Sequence, residues 1–174
     1  MKIHTIAFAP TALLLLTLLA PSCGNKVETG KGDLLIGLVC SDLNRSLDFY
    51  KNIIGMTETG GFEVDGQFGT DSGLSNGKPF KVRTLKLDNT PTATTLKLAC
   101  CSDTTAVKPA YVTDSPGVRY LTFEVKSTKA IKEQLQKNGI RILGKGPVDM
   151  GDNQELLLVQ DPDGVFVEII GGKE

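Results

Sequence analysis

The sequence predicts an α+β domain made of two like units. Three observations predict it. The order strand, helix, strand, strand, strand occurs twice after residue 32. Each helix is bracketed by a polar cap and a stop glycine: Asp42 and Gly55 in the first unit, Ser127 or Thr128 and Gly139 in the second. Several strands alternate polar and apolar residues, as sheets with one buried and one wet face do. Two such units, each with a single face to hide, are expected to pack together.

Residues 1–22 read as a targeting segment. Lys2 supplies a positive start, and residues 6–20 form an apolar stretch too short for a comfortable membrane span. Ala20-Pro21-Ser22 offers small residues for cleavage, and Cys23 follows. A cysteine in that place resembles a bacterial lipobox, whose thiol is acylated, and two or more acyl chains on Cys23 would anchor the chain stably. Plain secretion or a soluble periplasmic form is the alternative. The expected location is the cell envelope, with membrane contact only through the lipid. Residues 23–32 then form the lipidated cysteine and a polar tether.

Without residues 1–22 the chain keeps 18 Lys and Arg against 20 Asp and Glu. That balance leaves no footprint for nucleic acid and no polybasic membrane patch. His4, the one histidine of the sequence, departs with the leader. No Ser-His or Cys-His nucleophile system can then be assembled. Cys40, Cys100 and Cys101 remain in a compartment that permits disulfides. Adjacent cysteines rarely bridge each other. A bridge from Cys40 to one of the pair, or three small buried thiols, both fit.

The elements follow in order. In the first unit, residues 33–101, an apolar strand spans 33–41 and Asp42 caps a helix over 43–54. Leu43, Leu47, Tyr50 and Ile54 recur there at helical spacing. Strands are expected over 57–64, 79–87 and 94–101, with a glycine-containing loop over 65–78. That loop lacks the ending and context of a phosphate loop. In the second unit, residues 117–172, a strand spans 118–125 and a helix 129–138, with Ile131 and Leu135 on its apolar side. Strands over 140–143, 155–160 and 165–170 complete it. Asp161-Pro162-Asp163-Gly164 is a turn in which Pro162 presets φ and Gly164 takes the positive φ. Calcium-loop spacing does not follow it. Glu168 stands alone in the apolar run behind the turn. A carboxylate there must be paired, hydrogen-bonded, metal-bound or turned to a wet face.

Residues 42–56 (DLNRSLDFYKNIIGM), Phe123-Glu124-Val125 and the stretch from Asp161 to Glu168 together resemble the vicinal oxygen chelate superfamily. It contains glyoxalase I, extradiol dioxygenases and bleomycin-resistance proteins. The resemblance covers residues 33–172 and implies paired βαβββ units forming a cupped sheet with the ligand in its concavity. It also implies a metal on four strand positions, which fall here at Leu35, Lys97, Tyr120 and Glu168. Only Glu168 matches the usual His, Glu or Gln. One carboxylate does not make a transition-metal site, so no metal cofactor is expected. Oxygen-only ligation by Glu168 with Tyr120, Glu155 or aspartates is the weaker option.

The resemblance thus points to Lys97, Tyr120 and Glu168 as a site working by charge. Lys97 and Glu168 are expected to pair where the metal would sit, with Tyr120 hydrogen-bonded to one of them. A buried structural pair explains the same residues. Arg83 is a further ligand-binding candidate, although a solvated outer face suits it as well. Two functions are compatible. One is an envelope-anchored binder of a small organic molecule. The other is a glyoxalase-like lyase or isomerase with Glu168 as base and Lys97 or Tyr120 as electrophilic partner. A scaffold without a ligand is the third. A homodimer, with units paired within or across chains, is compatible with all three.

Overall fold

The computed structural model describes residues 34–101, 105 and 108–173. The expected leader, the lipidation site at Cys23 and the tether lie outside the described residues. Among those described, no helix is long and apolar enough to cross a membrane.

The first unit contains β1 (Leu35–Cys40), α1 (Leu43–Asp48), β2 (Thr57–Val64), α2 (Gly66–Asp71), β3 (Phe80–Lys86) and β4 (Thr95–Cys100). The second contains β5 (Tyr120–Ser127), α3 (Lys129–Lys137), β6 (Val148–Gly151), β7 (Gln154–Gln160) and β8 (Phe166–Gly172). The sheets have the orders β1-β4-β3-β2 and β5-β8-β7-β6. In each, the first and last strands of the unit run parallel and the remaining pairs antiparallel. The two units therefore share one topology, as expected for the α+β repeat.

Each sheet buries mainly one face, although Val82 and Phe166 are buried on the opposite faces. Leu85, Leu96 and Leu98 of the first, and Leu121, Phe123, Leu157, Val159, Val167 and Ile169 of the second, join one core. Tyr50 and Ile53 from the first helical segment and Ile131 and Leu135 from α3 complete it. Asp42 caps α1 by accepting hydrogen bonds from the Asn44 and Arg45 amides. The helix expected over 43–54 divides after Asp48, and Phe49–Ile53 forms a π-helical turn. Phe49, Tyr50 and Ile53 of this turn are all buried against the core.

Two other expectations are corrected. The strand expected over 140–143 is not formed. Only the Leu143 amide reaches β7, at Leu158, and Gly144, Gly146 and the cis Gly146-Pro147 bond turn the chain away. The pairing strand is β6, joined to β7 through Asp152 and Asn153, both at positive φ. Asp and Asn tolerate that conformation, as a two-residue hairpin turn requires. The second correction falls in the loop expected over 65–78. It carries α2, capped by Asp65 through the Phe68 amide at 2.8 Å.

The turn before β8 fastens the second unit to the first. Buried Asp161 accepts from the Asp163 and Val165 amides and, at 2.9 Å, from the Tyr50 hydroxyl. Asp163 accepts from the Ser41 amide at 3.1 Å, the Ser41 hydroxyl and the Ser46 hydroxyl. Burial pushes the Asp161 carboxyl up, and the hydrogen bonds it accepts oppose that. Tyr50 is pushed up by burial and by Asp161 beside it. The phenol therefore stays a donor at any ordinary pH. Gly164 meets the turn's need for positive φ, at 92°.

Within the second unit, Glu155 accepts from Thr128 and pairs with Lys132 at 2.6 Å, tying α3 to β7. Burial pushes the Glu155 carboxyl up, but the hydrogen bonds from Lys132 and Thr128 and the lysine charge outweigh it and hold it low.

Two predictions follow from this packing. Tyr50→Phe strands one acceptor oxygen of buried Asp161 and is expected to cost about 1–3 kcal/mol in urea unfolding. A loss near zero would show that this link does not hold the units together. Because the folded state depresses the Glu155 pKa, its stabilisation is present above the unfolded value and lost as pH falls through the folded one. Acidification from neutral to about pH 3 should erode wild-type stability more steeply than that of Glu155→Gln. Equal slopes would contradict the assignment.

Candidate functional site

Residues directly opposite in a sheet share a face, and faces alternate along each strand. This parity places the four positions singled out by sequence. Lys97 lies beside Gly37 on β1 and Thr84 on β3, and Leu35 shares that face two residues earlier. Glu168 lies beside Thr122 on β5 and Leu158 on β7, and Tyr120 precedes Thr122 by two. Leu35 and Lys97 in one unit thus stand where Tyr120 and Glu168 stand in the other. All four occupy the faces that the helices do not cover. Leu35 is 46% exposed and Tyr120 50%, whereas Lys97 and Glu168 are half-buried.

The open faces are mixed in character. Val39, Phe62, Tyr120, Val148 and Met150 are large and exposed, and Leu156, Leu158 and Ile170 are half-buried. Sequence alternation marks these faces as wet, yet they expose more apolar surface than solvation alone needs. Such a surface suits an organic ligand with a few polar contacts.

Glu168 takes the hydrogen-bonded option. It accepts from the Thr122 hydroxyl at 2.7 Å. The expected Lys97–Glu168 pair does not occur among the ion pairs of the described residues, and Tyr120 donates to neither partner there. Lys97 and Glu168 stand in separate sheets, and Glu168 takes its hydrogen bond from its own neighbour Thr122. Lys97 thus presents an ammonium with no carboxylate among the described residues. Thr122 was legible by alternation, because it lies two residues after Tyr120 on the same face.

Arg83 does not join this set. It pairs in register with Leu98, which is fully buried on the helix side. Its guanidinium lies 3.5 Å from Glu58, which also holds Lys51 at 2.9 Å. Its stem covers Gly61, where a Cβ would come within 2.9 Å of the arginine Cδ. An alternating strand offers two faces, and the arginine stem covers the glycine on the face away from Lys97.

Oxygen-only ligation also fails on parity. Glu155 lies on the core face with Leu157 and Val159, bound to Lys132, so it cannot meet Glu168. No three His, Cys, Asp or Glu side chains converge among the described residues. The residues at the four family positions therefore do not fit a divalent transition ion.

One hollow adjoins the set. A cavity of about 390 Å³ lies along the free edge of β5, between Tyr120, Thr122 and Glu124, Ile36 and Leu96 of the first sheet, and Asp88. A larger one, about 500 Å³, lies on the helix side near Arg45, Arg141 and Pro162. It contains none of the expected residues and flanks the turn that joins the units. The β5 cavity is the better candidate, because Tyr120 and Thr122 link it to Glu168.

Comparison with known proteins agrees with this architecture. Residues 34–169 match the family Glyoxalase/Bleomycin resistance protein/Dioxygenase superfamily. No curated protein matches the chain significantly. A glyoxalase family protein from Bacillus cereus superposes with a TM-score of 0.67 at 16% identity, covering 86% of this chain and 99% of that one. The trypanothione-dependent glyoxalase I of Leishmania major gives 0.57 at 20% identity, covering 79% and 84%. A glyoxalase I mutant from Zea mays gives 0.58 at 19% identity, covering 82% of this chain and 45% of that one. At these identities the likeness is one of fold.

An unpaired lysine on an open face does little for stability. Lys97→Ala should change unfolding free energy by no more than about 0.5 kcal/mol. A loss above about 1 kcal/mol in denaturant melts would reassign Lys97 to a structural role.

Proposed function

The chain belongs to the Glyoxalase/Bleomycin resistance protein/Dioxygenase superfamily, and from that premise we propose a metal-independent binder of a small organic molecule bearing a carbonyl or carboxylate. The ligand lies on the open sheet faces, with its anionic or polarised oxygen at Lys97. Tyr120 and the β5 cavity contact its apolar part, and Glu168, oriented by Thr122, accepts from a donor on it. We further propose that Cys23 carries the lipid that holds this binder at the cell envelope. The observation that carries the reading is the donor set at the four family positions: Leu35, Lys97, Tyr120 and Glu168, with one carboxylate among them.

A glyoxalase-like lyase or isomerase is the second reading, favoured by the glyoxalase I structures among the similar folds. In it Glu168 removes a proton beside a carbonyl, and Lys97 or Tyr120 steadies the developing oxyanion. The hydrogen bond from Thr122 engages one carboxylate oxygen of Glu168 and leaves the other to act as base.

A thermal-shift screen of small carboxylates and carbonyl compounds tests the first reading, since a binder raises the melting temperature by mass action. Hits should lose about tenfold or more in affinity with Lys97→Ala, equivalent to about 1.4 kcal/mol. Unchanged affinity would remove Lys97 from the site. Turnover of a methylglyoxal hemithioacetal, lost in Glu168→Gln, would replace the binding reading by the enzymatic one.

A further inference from the structure

The first unit carries a pair of thiols that its open face does not use. Cys40 ends β1 and Cys100 ends β4, and the two are direct partners in the parallel register. Neighbouring strands lie about 4.7–4.9 Å apart, inside the Cα separation that a disulfide spans. By the same parity both side chains point to the helix side, with Leu98 and Leu38. Cys101 follows the end of β4, where continued alternation turns it to the opposite face. Cys40 and Cys100 are not bridged in the structure.

We propose that Cys40 and Cys100 form a disulfide that staples β1 to β4, and that Cys101 takes no part in it. The two differ in access. Cys40 is 2% exposed, whereas Cys100 is half-buried and lines a cavity of about 530 Å³ with Leu43, Val64 and Phe80. Burial, and next to it Cys100, push the Cys40 thiol up to about 12, so Cys40 is a slow first nucleophile. The sequence of steps follows from that difference. Cys100, as thiolate, attacks one sulfur of a small-molecule disulfide and expels one thiolate, leaving a mixed disulfide. The Cys40 sulfur gives its proton to solvent, attacks Cys100 and expels the second thiolate. Two protein thiols are oxidised, and one external disulfide is reduced to two thiols.

The staple closes a loop of about 60 residues, which removes freedom chiefly from the unfolded chain. It also lies beside the joint between the units, because Cys40 precedes Ser41, and Ser41 and Ser46 both donate to Asp163. The inference is independent of the proposed ligand and rests on the register and on the access of Cys100.

The test incubates the purified full chain with oxidised glutathione, then alkylates free thiols and maps peptides by mass spectrometry. The expected result is a linked pair containing Cys40 and Cys100, with Cys101 alkylated. The melting temperature should rise by about 10 °C and return on reduction. Cys101→Ser should keep both the link and the rise, and Cys100→Ser should lose them. A link through Cys101, or complete alkylation of Cys40 and Cys100 after oxidation, overturns the proposal. Peptide mapping of the wild-type chain decides the matter even if Cys100→Ser fails to fold.

Discussion

The structure depends on one joint: the carboxylates of the Asp161-Pro162-Asp163-Gly164 turn gripping Tyr50, Ser41 and Ser46. Buried carboxylates are costly unless every lone pair has a donor. Here the donors come from the turn's own amides and from the other unit. The cost of burying Asp161 is therefore offset only when both units are folded and docked. That makes the turn a device for coupling them, and it fixes how the two open faces are presented. The same residues make the chain recognisable by sequence. Tyr50, Ser46, Asp161 and Asp163, which belong to the stretches that carry the resemblance, build the joint in this protein.

The separation of core faces from open faces explains how a familiar fold can carry an unfamiliar site. The core faces of the two sheets are filled by Leu, Ile, Val and Phe and are indifferent to what stands on the opposite faces. Exchanging a donor for Leu35 or Lys97 on an open face leaves the strand pairing intact, because side chains there contact neighbours of their own face only. The result is a face with a free ammonium and a tethered carboxylate, in two sheets, instead of a closed ring of donors. Charge separation of that kind favours ligands that carry their own complementary groups.

Much of the fold was legible because its signals are local. The caps at Asp42 and Gly139, the turn at Gly164 and the alternation of β3 and β4 each depend on a few adjacent residues. What escaped depended on longer range or on rarer geometry. The π-helical turn at Phe49 has no local sequence signal, since the apolar spacing there also fits an α-helix. The strand expected over 140–143 lost to β6 because the Asp152-Asn153 turn, readable in principle, sets the hairpin register. On the site, sequence located the open-face positions of Lys97, Tyr120 and Glu168. It could not assign Arg83 to a face, since an alternating strand has two. It also paired Lys97 with Glu168 across the two units, a contact that in-sheet alternation does not decide and that is absent from the ion pairs of the described residues.

The most direct test of the central claim, that the open faces work by charge and shape with no metal donor set, is calorimetric titration of the dialysed full-length protein with nickel(II) and zinc(II). The account predicts no one-to-one binding at micromolar concentrations that Glu168→Gln abolishes. Stoichiometric binding lost in Glu168→Gln, with wild-type stability retained in that variant, would contradict it.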